Sequence, residues 1–444
     1  MSFLELSLRL KGFPLQEAEK ELSSIKKLPE SEFNTWHENK KWQIVKYHFE
    51  NNEFYRSRFD GDKIPDRWEE IPLLVKTDYQ NSGYDLISKT FDKKNIYSGY
   101  TSGSSGHPFN YYKDKFAHAM TWALIKDRYR NFGLTLDSRQ ARFYGIPLER
   151  KDYYIEKAKD FLSNRVRFPV FDLSDGMLAE FLKKFRSEKF DYVYGYTNSI
   201  VLFARYLIRI NVILKDVCPG LKICICTSEN CTEEDKAVIE KGFGVKAVNE
   251  YGTSEVDLIA FETEAGKWLL SEENIFIEVI DDIGNPVTNG GEGRILLTAL
   301  HNKAMPFIRY EIGDKAIIAP GQGKIELKRI LGGVNDIVIL PSGKKSSGVS
   351  FYFITRSTME KIDSLKEFII RQVSPDKFIF DVVSDEEISD NAKKMIQKNL
   401  DTYLESGLSF EINRVEKIKR TKAGKMKHFY SELDMSEKEG SEKS

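Results

Sequence analysis

Apolar positions along the chain alternate between two spacings, and the change from one to the other marks out its organisation. From about Ser31 to Phe59 they recur at helical spacing, with Trp36, Val45, Phe49 and Phe54 among them and Asn51-Asn52 as a break. The stretch IPLLVKTDY, Ile71 to Tyr79, follows. Beyond a polar loop, Phe116 to Phe132 predicts a helix whose Ala and Leu spacing gives a core-facing stripe. Between Asp172 and Val248 short apolar runs alternate with helical ones. Helices are expected over Leu178–Arg186, Ser199–Ile210 and Glu233–Gly242, and strands over Phe190–Tyr194, Leu221–Thr227 and Val245–Asn249. Strands separated in this way form right-handed βαβ units on a largely parallel sheet.

The pattern then becomes β-rich, over Ile275–Ile280, Gly293–Thr298, Lys315–Ala319 and Lys324–Lys328, with Gly-rich turns between. After Gly332-Gly333 a small α+β unit is expected. Its strands are Asp336–Leu340, Phe368–Val373, Lys377–Val383 and Ser409–Val415, and its helices Phe351–Met359 and Asn391–Tyr403. The fold class is therefore α/β, with a large N-terminal domain over 1–332, a smaller one over 333–434, and a charged, disordered tail over 435–444. The large domain combines mixed, largely parallel sheets with a β-rich subdomain.

With 444 residues the chain is long for one core, and 41% hydrophobic residues supply ample material to bury. Its 67 Lys and Arg balance 68 Asp and Glu, so no bulk field draws it to nucleic acid or to an anionic membrane. An anion must be bound locally. The start carries Glu5 and no basic region, and the run Val201–Leu214 is interrupted by Arg205 and Arg209, so a cytoplasmic protein without membrane insertion is expected. The four cysteines, Cys218, Cys224, Cys226 and Cys231, lack a CxxC pair; a buried strand is favoured over a zinc site.

YTSGSSGHPF, Tyr100 to Phe109, combines hydroxyls with glycines that admit positive φ, the chemistry of a phosphate cradle, although such runs are more often solvated loops. It lacks the Lys-Ser/Thr ending of the nucleotide triphosphatase P-loop. Four further places accompany it: NEYGTSEV from Asn249, MPFIRYEIGDKA from Met305, ILGGVNDIVILPSG from Ile330, and IKRTKAGKMK from Ile418, the last with five cations on a Gly-hinged loop.

In order and spacing these motifs resemble those of the adenylate-forming enzyme superfamily. Three more stretches, YHFENNEFYRSRFD from Tyr47, IPLLVKTDY and MPFIRY, resemble its phenylacetate–coenzyme A ligase branch, with the coenzyme F390 synthetase-like and CapK-like proteins. The resemblance implies ATP-dependent activation of a small carboxylic acid as an acyl-adenylate, with pyrophosphate released, then transfer to coenzyme A. It also implies Mg²⁺, a small C-terminal domain that rotates on a hinge, and a homodimer as in many relatives. Alternatives are transfer to an amine, sugar or carrier, and a non-catalytic nucleotide-binding protein.

By the same resemblance Thr101, Ser102, Gly103, Ser104, Ser105 and Gly106 grip the β- and γ-phosphates. Tyr251 and Gly252 meet the adenine, with Ser228 and Glu229 beside it. Thr253 donates to the α-phosphate, Glu255 holds Mg²⁺, and Asp314 takes the ribose hydroxyls, with Arg309 among the nucleotide contacts. Lys425 is the catalytic lysine, a mobile point charge for the reacting oxygens. Asp336 is the hinge residue; Gly333 and Asn335 stand where relatives carry an Arg and a paired acid. The acyl pocket is expected between RFYGIPLER, YVYGYTNS and the sheet ends near Glu250, with Tyr144, Tyr194 and Tyr196 as an aromatic wall or as plain core.

Overall fold

The computed structural model describes residues 3–433 apart from 81, 84, 101–109, 147–149, 230, 288, 321–324, 332–336, 348–350, 352–353, 355–364, 385 and 417–428. The chain divides into two compact units, one holding residues 3–100, 110–138 and 248–331, the other 139–247 and 337–433. The cradle loop, Asp336 and Lys425 lie outside the described residues.

In the first unit a long helix, Glu30–Asn51, ends where Asn52 takes an extended conformation and its side chain caps the next turn, accepting from the Tyr55 N–H at 2.9 Å. That is the physical content of the Asn-Asn break. A four-stranded antiparallel sheet follows the order Ile275–Ile280, Asn289–Ala299, Tyr310–Pro320, Leu327–Leu331. Ile44, Val45, Phe54, Tyr55 and Trp68 pack in one core with Ile277, Val279, Ile295 and Leu297. The helix Lys115–Arg130 starts on Asp114, whose carboxylate accepts from Ala117 N–H at 2.9 Å. The helices Phe3–Leu10 and Leu15–Lys26 stand before the first element expected from the sequence.

Three segments of this unit interlock. Arg309 sits at φ 43°, 5% exposed. Its Nη1 donates to the carbonyls of Glu69 (2.8 Å) and Ile71 (3.0 Å), and its Nε to Glu278 Oε1 (3.2 Å). The Leu74 N–H donates to the Arg309 carbonyl, and the Glu311 N–H to that of Leu74. Tyr79 donates to the Pro306 carbonyl at 2.8 Å, and its ring lies 5.2 Å from Phe54, 5.4 Å from Phe307 and 5.5 Å from Tyr310. YHFENNEFYRSRFD, IPLLVKTDY and MPFIRY are one packed body. The Arg309 guanidinium, expected among the nucleotide contacts, here binds the IPLL stretch to the sheet.

In the second unit four parallel strands lie in the order Arg165–Phe168, Gln140–Phe143, Tyr192–Tyr196, Ile223–Thr227. One face carries Phe143, Phe168, Val193, Cys224 and Cys226 into a core with Phe181, Phe185, Phe203 and Phe243 from the helices Asp175–Ser187, Thr197–Arg209 and Glu233–Phe243. All four cysteines are free and buried. The first two strands escape sequence reading because QARF and RVRF place arginines on the other face. Arg165 and Arg167 are paired there with Asp160, and Arg167 also with Glu156, on the helix Arg150–Leu162. The third strand begins two residues later than expected, since Phe190 is spent in the core and its N–H faces Cys218 Sγ.

The C-terminal part of this unit has a sheet in the order Ser409–Arg414, Lys377–Ser384, Leu365–Ser374, Phe429–Ser431, whose outer pairings are parallel and central one antiparallel. The helix Asp390–Tyr403 is capped by Ser389. Gln372, fully buried, bonds both the N–H and the carbonyl of Ile339 and so ties the small hairpin Ile337–Ile339 and Lys345–Ser347 to this sheet. The expected helix Phe351–Met359 falls mostly outside the described residues.

Candidate functional site

The strand Lys246–Thr253 turns back into Asp257–Glu262, and the register slips between Tyr251 and Gly252. The slip requires glycine: a Cβ at Gly252 would lie 2.4 Å from the Asp257 carbonyl oxygen. Asp257 closes the turn at φ 69°. Within it Thr253 Oγ1 accepts from the Val256 N–H at 3.1 Å, so its hydroxyl hydrogen points elsewhere.

A buried lysine braces this turn from behind. Lys113, on the strand Asn110–Lys113, donates to the Ser254 carbonyl at 3.0 Å and forms an ion pair with Asp257, which also accepts from Thr121. The strand that follows the cradle loop is thereby tied to the turn that holds Thr253 and Glu255.

The strand Tyr310–Pro320 supplies the other side. Tyr310 donates to Glu255 Oε1 at 2.9 Å, and Tyr251 donates to Asp314 Oδ2 at 2.7 Å. Burial, then the Asp314 charge, holds the Tyr251 phenol well above its ordinary range; burial, then the Glu255 charge, does the same for Tyr310. Both phenols are donors near neutral pH. Tyr251, Thr253 and Glu255 from one motif and Asp314 from another thus meet on one hairpin and one strand. Tyr310 and Lys113 escaped sequence reasoning. Tyr310 lies on the same strand face as Asp314, four residues on, and that parity was the available signal.

In the second unit Glu229 and Ser228 follow the strand Ile223–Thr227. The Glu229 carboxylate accepts from the Asn198 N–H at 2.9 Å, at the start of the helix Thr197–Arg209, and Thr197 donates to the Glu229 carbonyl. Burial pushes its carboxyl up to about 7, against the lowering effect of the Asn198 bonds. Ser228, at φ 65°, lies 3.2 Å from the Tyr144 hydroxyl. The Tyr144 ring stacks 4.1 Å from Tyr196 and 5.9 Å from Tyr194. The three tyrosines expected in an acyl wall do form one aromatic cluster.

Glu255 is 4% exposed. Among the described residues no group of three or more His, Cys, Asp or Glu could hold a metal ion. One carboxylate positioned by Tyr310 still fits Mg²⁺, which keeps waters and takes substrate oxygens rather than an all-protein cage. Among the described residues no helix is long and apolar enough to cross a membrane.

A family model for the CapK C-terminal domain matches residues 342–432. Over 132 residues the chain is 30% identical to a phenylacetate-coenzyme A ligase of Thermus thermophilus, and over 129 residues 29% identical to that of Escherichia coli. Each match takes 27% of this chain and spans 29% of the relative's length. The crystal structure of a 2-hydroxyisobutyryl-CoA ligase in complex with 2-HIB-AMP and CoA shares the fold, with a TM-score of 0.56 at 18% identity over 91% of this chain and 90% of that one. The chain thus matches the CapK C-terminal domain over residues 342–432, is similar over part of its length to phenylacetate-coenzyme A ligases, and shares the fold of the 2-hydroxyisobutyryl-CoA ligase.

Proposed function

We propose that this protein activates a carboxylic acid with ATP. A carboxylate oxygen attacks the α-phosphorus; the bond from that phosphorus to the oxygen bridging to the β-phosphate breaks, leaving acyl-adenylate and pyrophosphate. In a second step a thiol, that of coenzyme A, attacks the acyl carbon and AMP departs. The observation that carries this reading is the joint placement of Tyr251, Thr253, Glu255 and Asp314 on one braced hairpin and its neighbouring strand.

Phosphoryl chemistry of this kind depends on positioning and charge support more than on a protein nucleophile. Asp314, held by Tyr251, is the acceptor for ribose hydroxyls. The Thr253 hydroxyl hydrogen is available to the α-phosphate. Glu255 would hold Mg²⁺, whose chemistry is to neutralise charge on the phosphate oxygens. The cradle residues Thr101 to Gly106 and the distal Lys425 complete the set, with residues 333–434 acting as the mobile small domain about Asp336. The relatives named as phenylacetate-coenzyme A ligases support the acid–thiol assignment.

The test is carboxylate-dependent exchange of labelled pyrophosphate into ATP over a broad acid panel. Exchange with at least one acid is expected; none, in a folded protein that binds ATP, would overturn the reading. Product analysis with and without coenzyme A then separates thioester formation from transfer to an amine, a sugar or a carrier.

A further inference from the structure

Lys113 ends the strand Asn110–Lys113, and its side chain is 3% exposed. Its Nζ makes two bonds to the turn that carries Thr253 and Glu255: it donates to the Ser254 carbonyl at 3.0 Å and pairs with Asp257 Oδ1 at 2.5 Å. The Tyr111 ring centre lies 5.0 Å from the same nitrogen. The ammonium is spent on a carbonyl, a carboxylate and a ring, so it acts through the turn rather than on a ligand.

A buried ion pair adds little to stability on balance, because two charges leave water and apolar side chains of similar volume often serve as well. What this pair supplies is direction. Thr253 and Asp257 are register partners, and the backbone around them is irregular, with a slip at Gly252 and a left-handed Asp257 at φ 69°. Asp257 also accepts from Thr121 on the helix Lys115–Arg130. Glu255 is held through its carboxylate by Tyr310, whereas Lys113 holds the backbone one residue earlier. The turn is thus tethered from two separate strands, and all of these residues belong to the first unit.

We infer that Lys113 is a positioning residue: by holding the Ser254 carbonyl and Asp257 it sets the place of the Thr253 hydroxyl and the Glu255 carboxylate, and with them the grip on the α-phosphate of the nucleotide. The inference rests on the nucleotide reading of this hairpin proposed above. Of the residues in that reading that lie on this hairpin and its neighbouring strand, adenosine engages Tyr251 and Asp314, whereas AMP adds a phosphate at Thr253. A displaced turn is therefore felt by AMP and not by adenosine.

The experiment uses the full chain as wild type, K113M, K113M/D257N and T121V. K113M leaves a largely shielded Asp257 without its partner and is expected to lose stability. The double variant restores neutrality, and asparagine accepts the left-handed conformation at position 257, so it is expected to fold. Calorimetry with AMP and with adenosine gives the readout, and thermal melts report the fold. The double variant is expected to bind AMP about 10-fold more weakly, the scale of one hydrogen bond to a charged group, with adenosine affinity unchanged. T121V loosens Asp257 without removing either charge; it should weaken AMP binding by about 3-fold and carries the comparison if the double variant does not fold. Equal loss of both ligands, unchanged AMP affinity, or a wild type that binds AMP no more tightly than adenosine would overturn the inference. If no acid supports pyrophosphate exchange while the AMP-to-adenosine ratio falls as expected, the adenylation reading fails and the role of Lys113 stands.

Discussion

Tyr310 illustrates how one long-range bond can set a candidate catalytic group. Glu255 is buried, and the Tyr310 hydroxyl is its observed donor, so Y310F would strip a shielded carboxylate of that bond. The expected cost is about 1–3 kcal/mol in urea-melt stability, with several-fold more Mg²⁺ needed for half-maximal pyrophosphate exchange. Arg309 gives the contrasting case. R309K keeps a charge but loses the planar fork that spans Glu278 and two carbonyls, and a loss of roughly 2–4 kcal/mol is expected. ATP affinity of the folded fraction should stay constant; a parallel fall would restore Arg309 to the nucleotide. The identities of Tyr251, Glu255 and Asp314 were legible because they sit in two short motifs, NEYGTSEV and MPFIRYEIGDKA. The partners were not, since Tyr310 meets Glu255 across 55 residues and no local pattern encodes that bond.

Among the elements, the end of the strand Ile223–Thr227 and the start of the helix Thr197–Arg209 share Glu229. Its carboxyl titrates in the folded chain at about 7, above its ordinary 4.5, chiefly because burial disfavours the charged form. The native state therefore binds more protons than the unfolded one between those values. The associated stability is fully present below about 4.5 and is lost as pH rises to about 7, by up to about 3 kcal/mol. E229Q should abolish that slope, and urea midpoints from pH 4.5 to 8 for the two proteins would show it; parallel curves would contradict it. The helices and inner strands of this unit were legible from periodicity, because their apolar faces meet a single core. The strands QARF and RVRF were not, since the alternation that marks a half-buried strand is here one of arginine with apolar residues, and the arginines become intelligible only beside Asp160 and Glu156 on a helix.

For the whole molecule, the class of fold was legible from the change of hydrophobic period, and the resemblance to adenylate-forming enzymes from five ordered motifs. Neither depends on the position of any single side chain. The division into compact units was less so, since residues 139–247 gather with 337–433 through contacts distant in sequence, such as Phe171 against Tyr403 at 5.1 Å. The mechanism makes one demand at this scale: K425A should lower pyrophosphate exchange by about 10²–10³ while ATP affinity measured by calorimetry changes little. An unchanged rate would remove Lys425 from the chemistry. The interlocking of residues 47–60, 71–79 and 305–310 has a consequence for engineering. Their side chains fill one another's spaces, so grafting any one segment from a related ligase should produce a mismatched, poorly folding hybrid, whereas transplanting the trio should succeed. They are expected to be exchangeable only as a set.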